Sequence, residues 1–153
     1  MKSKEIVCEY LFYRYRNSDS IRWVKIPLVE VRMKSSAVEY GSVALVDSGS
    51  DRTFVSRDEA QLLGLKPRTN RDGTPITSEA IGAGATFVCD IMILPEMWVM
   101  RHGEPFQDFH GMTVWVPRSS DDIPYTILGR DYVFKRFEIS FHEGRRKIAF
   151  KRT

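Results

Sequence analysis

The sequence predicts a mainly β fold that contains one clear helix. Residues 29–33 alternate between apolar and charged side chains, which is the period of a strand with one buried face. Residues 43–46, Val-Ala-Leu-Val, form a short apolar run that is typical of a fully buried strand. Strand and helix patterns do not alternate along the chain, which argues against a parallel sheet of the Rossmann type.

The one predicted helix begins after Ser56. Ser56 and Glu59 form a capping-box pattern, Gly64 lies where a C-terminal cap belongs, and Pro67 prevents the helix from continuing. A Glu-Gly turn at 143–144 predicts a hairpin between the last two strands. The further strands are predicted at residues 53–55, 86–94, 112–116, 125–128, 137–141 and 147–150.

The chain has the length of one domain. Its 153 residues are 42% hydrophobic and 28% charged, as in ordinary globular proteins. We expect an N-terminal extension with a possible extra strand at residues 1–18 and the main domain at residues 19–153. Cys8 and Cys89 are too few and too far apart for a disulfide framework. The apolar stretch near the N-terminus is too short for a signal peptide or a membrane span, so we expect a cytoplasmic protein with no membrane partner.

A carboxylate follows the apolar run at 43–46. Asp47 lies at the end of a buried strand, where a charge is costly unless it is hydrogen-bonded or used. Gly49 allows another backbone to approach closely, while Ser48 and Ser50 place hydroxyls beside the carboxylate. Asp-x-Gly alone is common in turns, so a catalytic role depends on the flanking sequence.

That flanking sequence resembles the retropepsin-like (retroviral-type) aspartic proteases. Residues 44–55, ALVDSGSDRTFV, resemble the active-site segment of this family, and residues 26–31 resemble the strand that precedes it. Residues 80–84, AIGAG, resemble the flap tip, and residues 126–131, TILGRD, resemble the family's hydrophobic-hydrophobic-Gly-Arg-Asp element. The resemblance spans residues 21–150 and implies a retropepsin-like acid protease fold: a single lobe, closed and barrel-like, with one or two short helices.

The resemblance also implies an aspartic endopeptidase that needs no cofactor and acts on a polypeptide substrate. Such enzymes use two carboxylates, and the chain contains one Asp-Ser-Gly motif, so a homodimer with Asp47 from each subunit is implied. Ser50 is expected to hydrogen-bond to Asp47, and Arg52 to favour an acidic or polar substrate side chain. The resemblance assigns active-site support to Ser48, Gly49 and Ser50, substrate binding to Asp51, Arg52, Ile81, Gly82, Ala83 and Gly84, and a structural pair within or between subunits to Asp51 and Arg130.

Other functions stay open at this point. The same fold could serve as a catalytically inactive module that binds a peptide or a partner. Basic residues at 145–152 are interpreted as a solvated hairpin face, so we expect no nucleic-acid partner. The histidines and cysteines match no usual zinc spacing, so we expect no metal site. The aromatic residues at 95–124 are interpreted as core rather than as the wall of a cleft.

Overall fold

The fold is built mainly from β-strands, as predicted. The computed structural model of the chain describes residues 5–16, 19–36, 38–82, 85–119 and 123–153. Its strands are β1 (Glu5–Glu9), β2 (Leu11–Arg16), β3 (Ile21–Ile26), β4 (Leu28–Lys34), β5 (Glu39–Val46), β6 (Thr77–Gly82), β7 (Ala85–Arg101), β8 (Glu104–Pro117), β9 (Thr126–Leu128), β10 (Phe137–His142) and β11 (Lys147–Arg152). Its α-helices are α1 (Arg57–Leu62) and α2 (Val133–Arg136). Neither of these short helices has the length and hydropathy that crossing a membrane requires.

Six strands form the main sheet in the order β6-β7-β4-β5-β9, with β8 also paired to β7. Val29, Val31 and Met33 of β4 are buried and alternate with residues that are more exposed, which confirms the predicted period. β7 and β8 extend well beyond the predicted strands and form a long antiparallel hairpin. Most of the stretch at 95–124 is therefore regular sheet.

β5 and β9 are neighbours in parallel orientation, which fixes the position of the site. Val46 lies opposite Leu128, so both strands end at the same edge of the sheet. The residues that follow each strand, Asp47 and Gly129, therefore leave the sheet side by side. Since parallel neighbours cannot be joined by a tight turn, this pairing brings together segments that are far apart in sequence.

Among the residues that the structure describes, strand pairing does not run continuously around the closed barrel that the resemblance implied. The main sheet ends at β9, and the space between β8 and β9 is spanned by residues 53–55, which were predicted to form a strand. Phe54 makes isolated bridges to Trp115 on one side and to Ile127 on the other. A single bridging residue cannot form a ladder, because the chain enters from the loop after Asp47 and turns at once into α1. The result is one lobe, closed at this position by backbone hydrogen bonds of a short segment.

Helix α1 begins and ends as predicted. Ser56 is its N-cap: its hydroxyl oxygen accepts from the Glu59 backbone N–H at 3.3 Å and donates to the Glu59 carboxylate at 2.9 Å. At the other end Gly64 has φ +67°, and the next backbone N–H, of Leu65, donates to the carbonyl oxygen of Ala60. The helix lies next to β9, the edge strand of the main sheet. There the Thr126 hydroxyl also donates to the Glu59 carboxylate.

The N-terminal residues form two further β units. β1 pairs antiparallel with β11 in a three-stranded sheet of order β1-β11-β10, whose last two strands are the predicted C-terminal hairpin. β2 and β3 form a separate two-stranded hairpin, called here the aromatic hairpin, which spans Leu11 to Ile26. The predicted boundary between residues 18 and 19 falls in the connection between these two strands.

Candidate active site

Asp47 lies where the chain leaves β5. Its backbone N–H donates to the carbonyl oxygen of Leu128 at 3.1 Å, which extends the parallel pairing of β5 with β9 by one residue. The backbone N–H of Gly49 donates to Asp47 Oδ1 at 2.8 Å, and Asp47 is half-buried. The carboxylate is thus oriented by a main-chain donor while part of it stays accessible to a water molecule or a ligand.

Ser50 hydrogen-bonds to the loop rather than to the carboxylate. Its hydroxyl donates to the carbonyl oxygen of Arg52 at 2.7 Å, a local side-chain-to-backbone contact of the kind that serine makes in turns. A hydroxyl has one hydrogen to donate, so the predicted hydrogen bond from Ser50 to Asp47 is wrong within the chain. Gly49 supplies the donor to Asp47, and Ser50 stiffens the loop that follows it.

The segment after β9 crosses directly over the loop that carries Asp47. The backbone N–H of Arg130 donates to the carbonyl oxygen of Ser50 at 2.9 Å. A Cβ atom on Gly129 would lie 2.1 Å from the carbonyl oxygen of Arg52 and 2.8 Å from that of Ser50. Both neighbours are backbone atoms, so only glycine allows the two segments to approach this closely.

Thr53 and Asp131 join these two segments, and the sequence did not reveal this contact. The backbone N–H of Thr53 donates to Asp131 Oδ2 at 3.0 Å, and its hydroxyl donates to Asp131 Oδ1 at 2.6 Å. The same hydroxyl oxygen accepts from the Gly129 backbone N–H at 3.3 Å, and Thr53 is fully buried. In the sequence Asp131 is only the last residue of the Gly-Arg-Asp element, and nothing in its neighbourhood indicates Thr53 as its partner.

Replacing Thr53 with Val is expected to lower the free energy of unfolding by about 1–3 kcal/mol, since it leaves a carboxylate oxygen and a backbone N–H without their partner at nearly constant volume. Urea denaturation measures this loss. Thr113→Val is the matched control, because in Thr113 the backbone N–H makes the hydrogen bond to Tyr132. Equal unfolding midpoints for the two variants would contradict the structural role of Thr53.

Asp47 lies in a cleft with a volume of about 930 Å³. One wall is apolar and includes Phe54, Phe87 and Trp115, which pack together as a small second core. The cleft also exposes acidic side chains beside Asp47, because both Asp51 and Glu79 line it. Of the predicted site residues, those that line the cleft are Asp47, Gly49, Ser50, Asp51, Ile81 and Gly82.

The hairpin of β6 and β7 forms another wall of the cleft. Gly82 pairs with Ala85 at its tip, and the predicted tip residues Ala83 and Gly84 lie outside the described residues. Ala80 is buried against the second core, while the neighbouring Ile81 is 84% exposed. Because side chains alternate between the two faces of β6, Ile81 lies on the face opposite Ala80 and has little protein around it.

This architecture matches a solved structure. A retropepsin-like aspartic protease from Rickettsia conorii superposes with a TM-score of 0.56, at 16% sequence identity, over 97% of this chain and 90% of that chain. The chain has a retropepsin-like fold. The scans against protein-family models and against curated protein sequences give no match.

Within the retropepsin-like fold, the predicted pair of Asp51 and Arg130 does not form inside one chain. Both residues are exposed, and no ion pair joins them among the residues described. The version of this pair between subunits stays a prediction. The Arg52 guanidinium lies over the Trp115 ring, 5.7 Å from its centroid, at the side of the cleft.

The aromatic residues at 95–124 divide between the core and the cleft. Phe109 is buried in the main core, and Phe106 packs against that core, as predicted. Trp115 is instead half-buried and lines the cleft, because its strand borders the bridging residue Phe54. The interpretation as core is therefore confirmed for Phe106 and Phe109, whereas Trp115 packs against the second core and also lines the cleft.

Tyr125 brings the aromatic hairpin to the rim of the cleft. It lines the cleft just before β9, and its ring lies 5.2 Å from that of Tyr13, edge to face. The pKa of Tyr125 is raised, first by burial of the hydroxyl and then by the nearby ionisable groups of Tyr13, Tyr15 and Asp47. Tyr125 and Asp47 thus line the same cleft, and the negative charge of Asp47 is one of the causes that raise the pKa of Tyr125.

Cysteine and histidine chemistry finds no support in the geometry. Burial raises the pKa of the Cys8 thiol to about 11, so it is protonated at neutral pH and is a poor nucleophile. Cys89 is fully buried, and His110 is exposed beside Asp108. No group of three His, Cys, Asp or Glu side chains suited to a metal ion occurs in the part of the chain that the structure describes.

Proposed function

We propose that the protein is an aspartic endopeptidase whose catalytic carboxylate is Asp47. One observation carries this proposal: Asp47 lies, oriented by the Gly49 backbone N–H, in a cleft of about 930 Å³ bordered by a hairpin with an exposed apolar tip. The cleft has the size of a site for an extended peptide, and its apolar wall offers a place for side chains beside the scissile bond.

The second carboxylate of the proposed site comes from a second copy of the chain. The sequence contains one Asp-Ser-Gly motif, and the cleft of one chain is lined by one such aspartate. Ser48 is exposed next to Asp47, so its hydroxyl is free to contact a partner subunit across a twofold axis. Under this proposal the Asp51–Arg130 pair forms between subunits, where Arg suits a bidentate contact with a carboxylate.

The proposed mechanism follows from placing two carboxylates close together. Carboxylates ~3 Å apart cannot both be ionised, so the two copies of Asp47 share one proton. The ionised member removes a proton from a bound water, which attacks the peptide carbonyl carbon. The protonated member donates to the carbonyl oxygen, and a proton then passes to the leaving nitrogen as the bond breaks. The hairpin of β6 and β7, which carries Ile81, acts as the flap: it closes over the substrate and reduces the substrate's contact with water.

The test is hydrolysis of β-casein, an unstructured polypeptide, by the purified full chain at acidic to neutral pH. We expect a rate maximum on the acidic side, since the carboxylate pair must hold one proton, and inhibition by a statine-type compound. The rate per chain should rise with protein concentration until the dimer is fully formed. Absence of hydrolysis in a dimer verified by light scattering would instead favour an inactive peptide-binding module. The cytoplasmic location stays a prediction from the sequence.

A further inference from the structure

The aromatic hairpin carries an unusual combination of charge and exposed rings. Its sequence, LFYRYRNSDSIRWVKI, contains four cationic residues and one acidic residue, so its net charge of +3 equals that of the entire chain. Tyr15 is 58% exposed on one face of the hairpin, and Trp23 and Phe12 are 63% and 60% exposed on the other. Apart from the pairing of β2 with β3, neither strand belongs to a larger sheet. A two-stranded hairpin this apolar and basic is suited to binding.

One face of the hairpin continues the wall of the cleft. Cross-strand neighbours share a face, and Tyr13 lies opposite Val24 while Tyr15 lies opposite Arg22. The Tyr13 ring contacts Tyr125 at the cleft rim, and the Tyr15 ring lies 5.7 Å from that of Tyr13. The three rings therefore form a continuous row from the rim of the cleft toward the turn of the hairpin. Arg22 lies at the far end of this row, exposed and next to Tyr15.

The charges around this row select the chemistry of the partner. The cleft end is acidic, because Asp47, Asp51 and Glu79 line it, whereas Arg22 places a positive charge at the hairpin end of the row. A nucleic acid that ran along the row would bring its phosphates to the acidic end, where they are repelled. A polypeptide can place uncharged or basic residues in the cleft and acidic residues on the hairpin. Extended peptides advance about 3.3 Å per residue, so the row accommodates several residues beyond the cleft.

We propose that the aromatic hairpin is a second binding surface for the polypeptide substrate. Tyr13 and Tyr15 take up apolar or aromatic side chains of the substrate by ring contacts, and Arg22 pairs with an acidic side chain several residues from the scissile bond. The inference rests on the proposed function in one respect, namely that the bound chain is the one cleaved over Asp47. Residues of β2 and β3, which precede the main sheet in the sequence, then contribute to the choice of substrate.

The experiment measures binding without requiring cleavage. The full chain with Asp47→Asn is titrated with a fluorescent random copolymer of Glu and Tyr, and binding is followed by anisotropy. We expect saturable binding that weakens as salt is added, and Arg22→Gln or Tyr15→Ala in this background should each raise Kd by about tenfold. Arg22→Lys should keep most of the affinity. Arg71→Gln and Phe141→Ala are the controls, since they change an exposed arginine and an exposed aromatic residue outside the hairpin and the cleft.

The binding measurements distinguish a polypeptide from a nucleic acid or a membrane as the partner of the hairpin. Unchanged Kd in both hairpin variants overturns the inference, even if the wild-type chain hydrolyses β-casein. If the hairpin substitutions instead abolish binding to oligo-dT or to phosphatidylserine vesicles while copolymer binding is unaffected, the partner is a nucleic acid or a membrane and the inference is wrong. If the wild-type chain cleaves nothing but hairpin-dependent copolymer binding is measured, the proposed protease activity fails and the hairpin remains a peptide-binding surface.

Discussion

Replacing Asp47 with Asn is expected to reduce the rate of β-casein hydrolysis by about 10³-fold, because an amide can neither accept a proton from water nor return one to the substrate. The substitution preserves shape, and an amide oxygen can still accept the Gly49 backbone N–H that Asp47 Oδ1 accepts in the structure. We therefore expect the thermal unfolding midpoint to stay close to that of the wild-type chain. Steady-state kinetics and a thermal scan measure the two effects separately.

The matched control is Asp58→Asn, which changes an exposed carboxylate on helix α1 and should leave the rate unaltered. A mixing experiment tests whether both copies are needed. After subunit exchange between equal amounts of wild-type and Asp47→Asn chains, about a quarter of the dimers carry two aspartates, so activity should fall to about a quarter of that of wild-type dimers at the same total chain concentration. Activity of about one half to three quarters of that value would mean that dimers with one carboxylate are active, and the proposed mechanism would be wrong.

Replacing Gly129 with Ala is expected to destabilise the fold by about 3 kcal/mol or more, because the added methyl group meets backbone that cannot move aside. Its Cβ would lie 2.1 Å from the carbonyl oxygen of Arg52, far inside van der Waals contact. To relieve this overlap, the segment after β9 must separate from the Asp47 loop, which weakens the hydrogen bonds of Thr53 with Asp131. Activity should fall with stability, since the same loop orients Asp47.

Gly144→Ala is the control for this substitution. No atom lies within 4 Å of the position that its Cβ would occupy, so its free energy of unfolding should change by less than about 1 kcal/mol. Urea denaturation of the two variants gives the comparison. If Gly129→Ala unfolds at the same urea concentration as Gly144→Ala, then the close crossing of the two segments is not what requires glycine.

Local features of the fold were predictable because their causes are local. Ser56, Glu59 and Gly64 determine both ends of α1 through hydrogen bonds within a few residues, and the structure has these ends where the sequence placed them. The alternation of β4 likewise follows from neighbouring side chains. The cleft could be anticipated in part, since the Asp-Ser-Gly motif and the glycine after β9 both carry recognisable sequence patterns.

Features that depend on distant contacts were not predictable in this way. The bonds of Thr53 with Asp131 join residues that are 78 positions apart, and no local pattern specifies such a partner. The sequence predicts a strand that ends before Pro95, because proline is normally excluded from the interior of a sheet. In the structure the pairing of β7 with β8 continues on both sides of Pro95, and β7 extends to Arg101. The contact of Tyr13 with Tyr125 depends on how the aromatic hairpin packs against the body, which tertiary structure alone decides.

The parallel pairing of β5 with β9 has a consequence for synthesis of the protein on the ribosome. The Asp47 loop is held by Leu128, Arg130 and Asp131, so it cannot take its final shape until those residues have emerged. Pairings between such distant segments form late, because the loop between them must be closed first. A nascent chain that stops before Thr126 therefore carries the Asp-Ser-Gly motif without the segment that supports it. Asp47 therefore becomes ordered only after the segment that follows β9 has been synthesised.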